Sequence, residues 1–258
     1  MDTQQQTSLK ILLIGDSCLD YYHFGTCERL SPEAPVPVLK QDKVVLKEGM
    51  SLNVKNNLES FGIKVHHITN EKIIEKHRIV DRKSNYQITR YDVNENSALP
   101  EINLTGVKAS DYDCLVISDY CKGTISRQVA KEACDMFKDK PIFVDSKKKD
   151  LSCFSNCYVK INRKERGLVT VHPVNSKYII TLGSDGAIYQ GKTFRTEKVE
   201  VFDVCGAGDV FISSLSYAFL INNNIEKSIV YANKLATRSV TKFGTYVLSE
   251  GDINDFCI

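Results

Sequence analysis

What this 258-residue chain has little of narrows it first. Neither sign of charge dominates: 34 lysines and arginines stand against 32 acidic residues, a net charge of +2. That balance gives no electrostatic case for binding nucleic acid or an anionic membrane surface. No apolar run approaches the ~20 residues of a membrane span. The N-terminal "MDTQQQTSLK" is polar and has no signal-peptide core. The expected location is therefore cytoplasmic. No repeat, low-complexity stretch or linker divides the sequence, so one α/β domain over 1–258 is expected.

Metal-ligand and disulfide patterns are missing too. The nine cysteines (18, 27, 114, 121, 134, 153, 157, 205 and 257) follow no repeating spacing. Cys153 and Cys157 are four apart, without a second pair or a histidine cluster at zinc-ligand spacing. Several lie in apolar runs, where a thiol packs as a small hydrophobe. Reduced structural thiols are expected.

What is present is an alternation of strands and helices. "KILLIGD" is a continuous apolar run ended by Gly15-Asp16, as in a strand buried on both faces of a parallel sheet. Three prolines between 32 and 37 exclude helix there, and "VPVLK" and "KVVLK" read as two short exposed strands. "MSLNVKNNLESFG" spaces Leu52, Val54, Leu58 and Phe61 as a helix capped by Gly62. "KVHHIT" is a strand, and residues 77 to 93 read as a hairpin about a Lys-Ser-Asn turn. "DCLVISDY" and "PIFVDSK" are buried strands flanking the amphipathic helix "SRQVAKEACDMFKD". "CYVKINRKE", "YIITLGSDGAIYQ" and "KTFRTEKVEVFDV" read as strand-rich, and helices over about 209–221 and 225–242 close the fold. This order predicts a mostly parallel sheet with helices on both faces.

One turn carries chemistry. In "VFDVCGAGDVF" the glycines at 206 and 208 let the backbone turn sharply in front of a helix, whose free amides and positive dipole end point the same way. Together they form an anion pocket suited to phosphate. A carboxylate at that mouth, Asp209, repels phosphate. It makes sense as a base that takes a proton from a hydroxyl attacking phosphorus. The competing reading is a glycine turn with Asp209 as a helix cap.

"DVCGAGDVF" resembles the C-terminal signature of the PfkB/ribokinase family of sugar kinases. "GDSCLDYYHFGTCERLSPEAPVPVLK", "VISDYCKGTI" and "VYANKLATRSVTKFGT" are similar to its heptose 7-phosphate kinase branch, in order along nearly the whole chain. The resemblance implies a ribokinase-like α/β fold, with a small β lid formed by segments of about 21–47 and 77–95. It implies an ATP- and magnesium-dependent carbohydrate kinase, Asp209 as catalytic base and Gly206, Ala207 and Gly208 as the anion hole. Asn162 and Glu165 of "KINRKE" match the Asn-x-x-Glu element that places magnesium, held through water, and the nucleotide phosphates. Thr181, Gly183, Ser184 and Gly186 of "TLGSDG", with Asn233, are the implied ATP-binding residues. Asp203 and the Cys205 carbonyl fall where relatives often hold a monovalent cation, so K+ is a candidate. For the sugar, Asp16 and Asp20 leave the first strand at its C-terminal end, joined by Asn53 and Gly49, with Lys122, Arg29 and Arg90 as cationic candidates for its phosphate.

The lid is implied to exclude water and to pair two subunits as a homodimer, which would also cover exposed strand edges. Three departures stand out. The family's Gly-Gly pair reads here as Glu48-Gly49, and its Asp-Pro as Asp145-Ser146. A helix and strand are also expected to be missing between "HHIT" and "EKHRIV", and helical material between Glu165 and "SKYIITLG". Cys205 stands at a helix N-terminus, which can lower a thiol pKa; it reads either as redox-sensitive or as an inert small residue. The favoured substrate is a heptose 7-phosphate, with ribose, another hexose or a nucleoside as alternatives, and a kinase alone is expected, since no nucleotidyltransferase module follows Ile258. The rival readings are a non-catalytic sugar- or nucleotide-binding regulator and a dinucleotide-dependent oxidoreductase. The latter fits poorly, because "LLIGDSCLD" lacks a Gly-x-Gly-x-x-Gly turn.

Overall fold

The computed structural model describes residues 9–84, 86–95 and 99–256. Asn85 of the expected hairpin turn and Cys257 lie outside them. Twelve strands occur among the described residues, in chain order β1 (Lys10–Gly15), β2 (Ser17–Leu30), β3 (Pro37–Met50), β4 (Lys64–Thr69), β5 (Ile74–Asp81) and β6 (Tyr86–Val93). They continue as β7 (Cys114–Asp119), β8 (Ile142–Ser146), β9 (Tyr158–Asn162), β10 (Lys177–Thr181), β11 (Ala187–Tyr189) and β12 (Lys192–Phe194). The helices are α1 (Ser51–Ser60), α2 (Arg127–Met136), α3 (Arg163–Leu168), α4 (Ala207–Asn222), α5 (Ile225–Ser239) and α6 (Glu250–Asn254).

The main sheet has eight strands in the order β4-β1-β7-β8-β9-β10-β11-β12, parallel except for the last two pairings. Leu12 and Ile14 of β1 enter the core on one face, while Ile11 and Leu13 enter the core on the other. All four are fully buried, which is why this strand has no alternation of polar residues. Val54 and Leu58 of α1, Phe211 and Leu215 of α4, and Ile229 of α5 cover one face. Val129, Ala130 and Ala133 of α2 cover the other. Each fully buried Leu or Ile contributes about 1.5–3 kcal/mol by leaving water.

Chain order and sheet order disagree at β1, and that disagreement positions the site. From β1 the chain returns through α1 to β4 on one side, and later to β7 on the other. The strands flanking such a switch splay their following loops apart, opening a crevice at their C-terminal ends. Asp16, Asp119, Ser146, Asn162 and Thr181 lie at those ends, on five successive parallel strands.

A second sheet, in the order β3-β2-β5-β6, stands beyond that crevice. β2 and β3 are longer than the sequence reading allowed: where two short strands were expected after the prolines, β3 is one strand of 14 residues. It pairs antiparallel with β2, itself 14 residues long. The partner strand supplies the hydrogen bonds that the polar stretch "LKQDKVVLK" does not advertise by itself. The hairpin of β5 and β6 closes at Asp81, whose Oδ2 accepts from Ser84 N at 2.9 Å and Ser84 Oγ at 2.6 Å.

Three further readings are corrected. "KTFRTEKVEVFDV" is strand only over β12; its later valines line a cleft described below. The last long helix ends at Ser239, not at about 242. It does not close the fold, because α6 follows. Among the described residues no helix is long and apolar enough to cross a membrane.

Candidate active site

α4 begins where the sequence reading put its turn. Gly206 caps it with φ 76°, a left-handed conformation that glycine adopts without strain. A Cβ there would lie 2.6 Å from Asn53 Nδ2. Of the first amides, Ala207's donates to the Val204 carbonyl at 3.3 Å and Asp209's to the Gly206 carbonyl at 3.0 Å. The Gly208 amide has no protein acceptor among the described residues and is the free donor that an anion would meet. Gly208 also leaves room for a cation: a Cβ on it would fall 2.6 Å from Lys160 Nζ.

Asp209 sits in this first turn, nearly inaccessible to solvent. Its Oδ2 accepts from Asn53 Nδ2 at 3.0 Å and its Oδ1 from the Tyr120 hydroxyl at 2.8 Å. Burial pushes its carboxyl up to about 6, against the pull of those two donors. A carboxyl of that acidity is half-charged at about pH 6 and mostly charged at neutrality, within reach of the pH at which a general base works best. Beneath it lies a buried ion pair, Lys160 Nζ to Asp145 Oδ2 at 2.7 Å. Lys160 also holds Asp145 in its charged form, below the usual carboxylate range despite burial.

Asn162 and Glu165 form a reciprocal cap at the start of α3. Glu165 N donates to Asn162 Oδ1 and Asn162 N to Glu165 Oε2, both at 2.8 Å. The other Glu165 oxygen is held by the Lys147 ammonium, which also lies 5.3 Å above the Tyr120 ring.

From Gly208 a cleft of about 840 Å³, open to solvent, runs between the β10–β11 turn and α5. Every residue assigned to nucleotide binding lines it: Asn162, Thr181, Gly183, Ser184, Gly186 and Asn233. Ala207 and Gly208 close one end, and Val199, Val201, Val204, Phe211, Ala236 and Val240 supply apolar walls. Gly186 is required where it stands, because a Cβ would fall 2.0 Å from the Phe194 carbonyl. Asn233 donates to that same carbonyl at 2.8 Å. An apolar slot ending at a helix N-terminus accommodates a flat aromatic base at one end and phosphate at the other.

On the opposite side of Asp209 are the sugar candidates. Asp16 is fully occupied. Its Oδ2 accepts from the amides of Tyr120 at 2.8 Å and Lys122 at 3.1 Å, and Oδ1 accepts from the Thr124 hydroxyl. Asp20 Oδ1 accepts from Arg78 Nε at 3.2 Å and Nη2 at 2.8 Å. Gly49 faces Asp20 across the strands, and a Cβ on it would lie 2.5 Å from Asp20 Oδ2. Lys122 pairs with Glu95 and Arg90 with Asp92, while Arg29 is exposed near the far end of β2. The side chains of Lys122 and Arg90 are thus paired with other carboxylates, and Arg78 is the cation in contact with Asp20.

Two expectations are revised. The backbone position before α1 that glycine suits is Met50, with φ 56° and ψ −132°, not Glu48, which lies within β3 and bonds Asn56. The Cys205 thiol is not made acidic by the helix: burial and the neighbouring Asp203 push it up to about 11. Cys205 N donates to Asp203 Oδ1 at 2.9 Å and Gly244 N to Asp203 Oδ2 at 2.9 Å, so this carboxylate straps the 203–206 turn to the 243–245 loop.

Sequence reasoning missed Tyr120, Lys147, Lys160, Arg78 and Lys47. Lys160 had a legible signal, a lysine inside the apolar strand "YVKIN", where only a paired charge is stable. Arg78 and Lys47 had none, since both look like ordinary lid charges.

The sequence profile of the pfkB family carbohydrate kinases matches residues 50–250. This chain belongs to that family. It has the ribokinase-like fold, a mostly parallel sheet flanked by helices. Relatives include a protein of Sulfurimonas denitrificans named bifunctional protein HldE, 32% identical over 304 residues, covering 96% of this chain and 64% of the relative. A Nitratiruptor protein of the same name is 29% identical, with the same two shares covered. The chain thus spans 64% of the length of these relatives. The 304-residue alignment also exceeds the chain's own 258 residues, so the relative carries segments that this chain lacks. Among solved structures, phosphofructokinase-2 from Escherichia coli in complex with potassium superposes with a TM-score of 0.74 at 15% identity, covering 96% of this chain and 97% of that one. Arabidopsis thaliana ribokinase complexed with ribose and ATP gives 0.69 at 15% identity, covering 96% and 98%. At such identities these likenesses concern the fold of this pfkB-family chain.

Proposed function

We propose that this pfkB-family chain transfers the γ-phosphoryl group of ATP to a hydroxyl of a sugar phosphate, with a heptose 7-phosphate as the acceptor and Asp209 as the base. The observation that carries this reading is the arrangement at Asp209. One buried carboxylate, raised to about 6, stands between a lined cleft on one side and the Asp20–Arg78 pair on the other. ATP occupies the cleft, its base against Val199, Val201 and Ala236 and its phosphates toward Gly208. The acceptor hydroxyl gives its proton to Asp209 Oδ as its oxygen attacks the γ-phosphorus in line, and the bond from that phosphorus to the bridging oxygen breaks to release ADP. The Gly208 amide and the Lys160 and Lys147 ammoniums meet the charge that builds on the transferring group. The heptose assignment is supported by the "RLSPEAPVPVLK" resemblance and by relatives named HldE.

Among the described residues no cluster of three acidic, cysteine or histidine side chains stands ready to cage a metal. That suits a magnesium ion brought in on the ATP phosphates and keeping its waters, with Glu165 as the carboxylate facing that shell. Bound there, magnesium neutralises phosphate charge. Potassium fits less well beside Asp203, because the Lys47 ammonium is already bonded to the neighbouring carbonyls of Phe243 and Thr245.

The second sheet acts as a lid and as a homodimer contact. Tyr21, His77 and Tyr91 stack along its outer face at 4.7 and 4.5 Å. Leu46, paired with Tyr21 in register, and Tyr91 are 52% and 51% exposed there, an apolar stripe that a second copy would cover.

The deciding experiment measures ADP release with ATP, magnesium and a panel of sugars and sugar phosphates, beside Asp209→Asn. Turnover with the heptose phosphate, lost at least a thousandfold in the variant, is the expected result. Turnover with a different sugar would reassign the substrate. Binding of ATP without turnover on any acceptor would make the chain a regulator built on the kinase fold.

A further inference from the structure

The resemblance put a monovalent cation beside Asp203 and Cys205, at the back of the anion hole. A charged side chain already stands beside that position. Lys47, near the end of β3, donates from Nζ to the carbonyl of Thr245 at 3.0 Å and to the carbonyl of Phe243. The same ammonium lies 5.2 Å from the centre of the Phe243 ring. Between those two carbonyls the amide of Gly244 donates to Asp203, whose other oxygen accepts from Cys205. Gly244 makes the passage: with φ 64° it exposes both neighbouring carbonyls, and a Cβ on it would lie 3.0 to 3.2 Å from Lys47 Nζ, Cδ and Cε. Burial works against the charge on this ammonium, and the carboxylates of Asp203 and Asp20 favour it, the first of them held charged by two backbone amides.

We infer that the Lys47 ammonium is a tethered replacement for the monovalent cation, filling the carbonyl cradle behind Gly206 with a charge that cannot exchange with solvent. Potassium and an alkylammonium carry the same charge, so an ion beside Asp203 would meet an ammonium already seated on the adjoining carbonyls of Phe243 and Thr245, and the residues present do not fit both. The replacement also does something an ion cannot do. Because Lys47 is carried by the second sheet, it fastens β3 to the loop that follows α5, and through Asp203 to the turn containing Gly206. Both the charge behind the anion hole and the seating of the lid are then set by one side chain.

This inference extends the kinase reading but does not need turnover to be tested. The full chain is melted in KCl and in tetramethylammonium chloride at matched ionic strength, as wild type and as Lys47→Met. The expected result is a wild-type Tm indifferent to the cation, with a KCl-specific rise of about 5 °C in Lys47→Met, where the vacated carbonyls and Asp203 accept the ion. A KCl-specific rise in the wild type would overturn the inference. So would a folded Lys47→Met protein, checked by circular dichroism, that melts identically in both salts. If Lys47→Met does not fold, Lys47→Gln is melted in its place, with the same two outcomes. If a sugar kinase activity is found, it is expected to run equally well in either salt, and failure to find one would count against the kinase reading alone.

Discussion

The Tyr120 hydroxyl donates to Asp209 Oδ1 at 2.8 Å, from a loop that starts two strands away from α1, whose Asn53 holds the other oxygen. Both donors favour the charged carboxylate and oppose the burial that raises it to about 6. Removing one should let burial win further. In Tyr120→Phe the acidic limb of the kcat/KM profile is expected to move upward by about one pH unit, the equivalent of about 1.4 kcal/mol. The variant should therefore lose most activity near pH 6 and recover much of it by pH 8. A profile that falls uniformly at all pH values would mean that Tyr120 positions substrate instead.

Asp209 should also cost the protein stability. Its folded-state pKa lies above the ordinary value near 3.8, so the folded chain binds the proton more tightly than the unfolded one. The sign follows: stability is greatest below about pH 4, falls as pH rises through the window to about 6, and stays lower above it. Asp209→Asn removes that penalty, and the Tyr120 hydroxyl can rotate to accept from the new amide. The variant is expected to be about 1–3 kcal/mol more stable than wild type at pH 7.5 while nearly inactive. Urea melts at pH 4 and pH 7.5 would check it; the gain should be confined to the higher pH.

Much of this was legible in the chain, for identifiable reasons. Strands buried on both faces advertise themselves by unbroken apolar runs, so "KILLIG" and "CLVISD" were found without ambiguity. The residues that line the cleft beside Gly208, among them Asn162, Thr181 and Gly186, were singled out through the family resemblance and not by any pattern of their own. The second sheet was harder. Its strands alternate lysines with valines, and β3 is continuous only because β2 runs alongside it for its whole length. The residues that complete the site were least legible. Arg78 and Lys47 act through partners more than fifty residues away in sequence, Asp20 in one case and the 243–245 loop in the other.

The Cys205 thiol gives a chemical test of its surroundings. Pushed up to about 11 by burial and by Asp203, it is at most about one part in a thousand thiolate at pH 8. Iodoacetamide is therefore expected to label it on the order of a hundredfold more slowly than an ordinary thiol with pKa near 9. Cys205→Ser should keep near-wild-type activity and leave resistance to mild oxidants unchanged. Mass spectrometry of the labelled chain, with peptide mapping, reads the rate directly. Rapid labelling that abolishes activity would restore the redox-sensitive reading.

Gly49 is the last position where the structure makes a quantitative demand. β2 and β3 approach so closely there that a methyl group would sit 2.5 Å from Asp20 Oδ2 and 2.8 Å from Cys18 Sγ. Asp20 cannot swing away freely, because its other oxygen is gripped by Arg78 at 2.8 Å. The strain of Gly49→Ala should therefore be transmitted to the Asp20–Arg78 pair, which contacts the acceptor in the proposed complex. ATP, bound on the far side of Asp209, should be untouched. The expected outcome is a rise of at least tenfold in the KM for the sugar phosphate, with the KM for ATP within twofold of wild type. A stability loss of about 1–3 kcal/mol should accompany it, as for other overpacked sites. Equal increases in both KM values would show that Gly49 matters for the fold as a whole and that Asp20 does not face the acceptor.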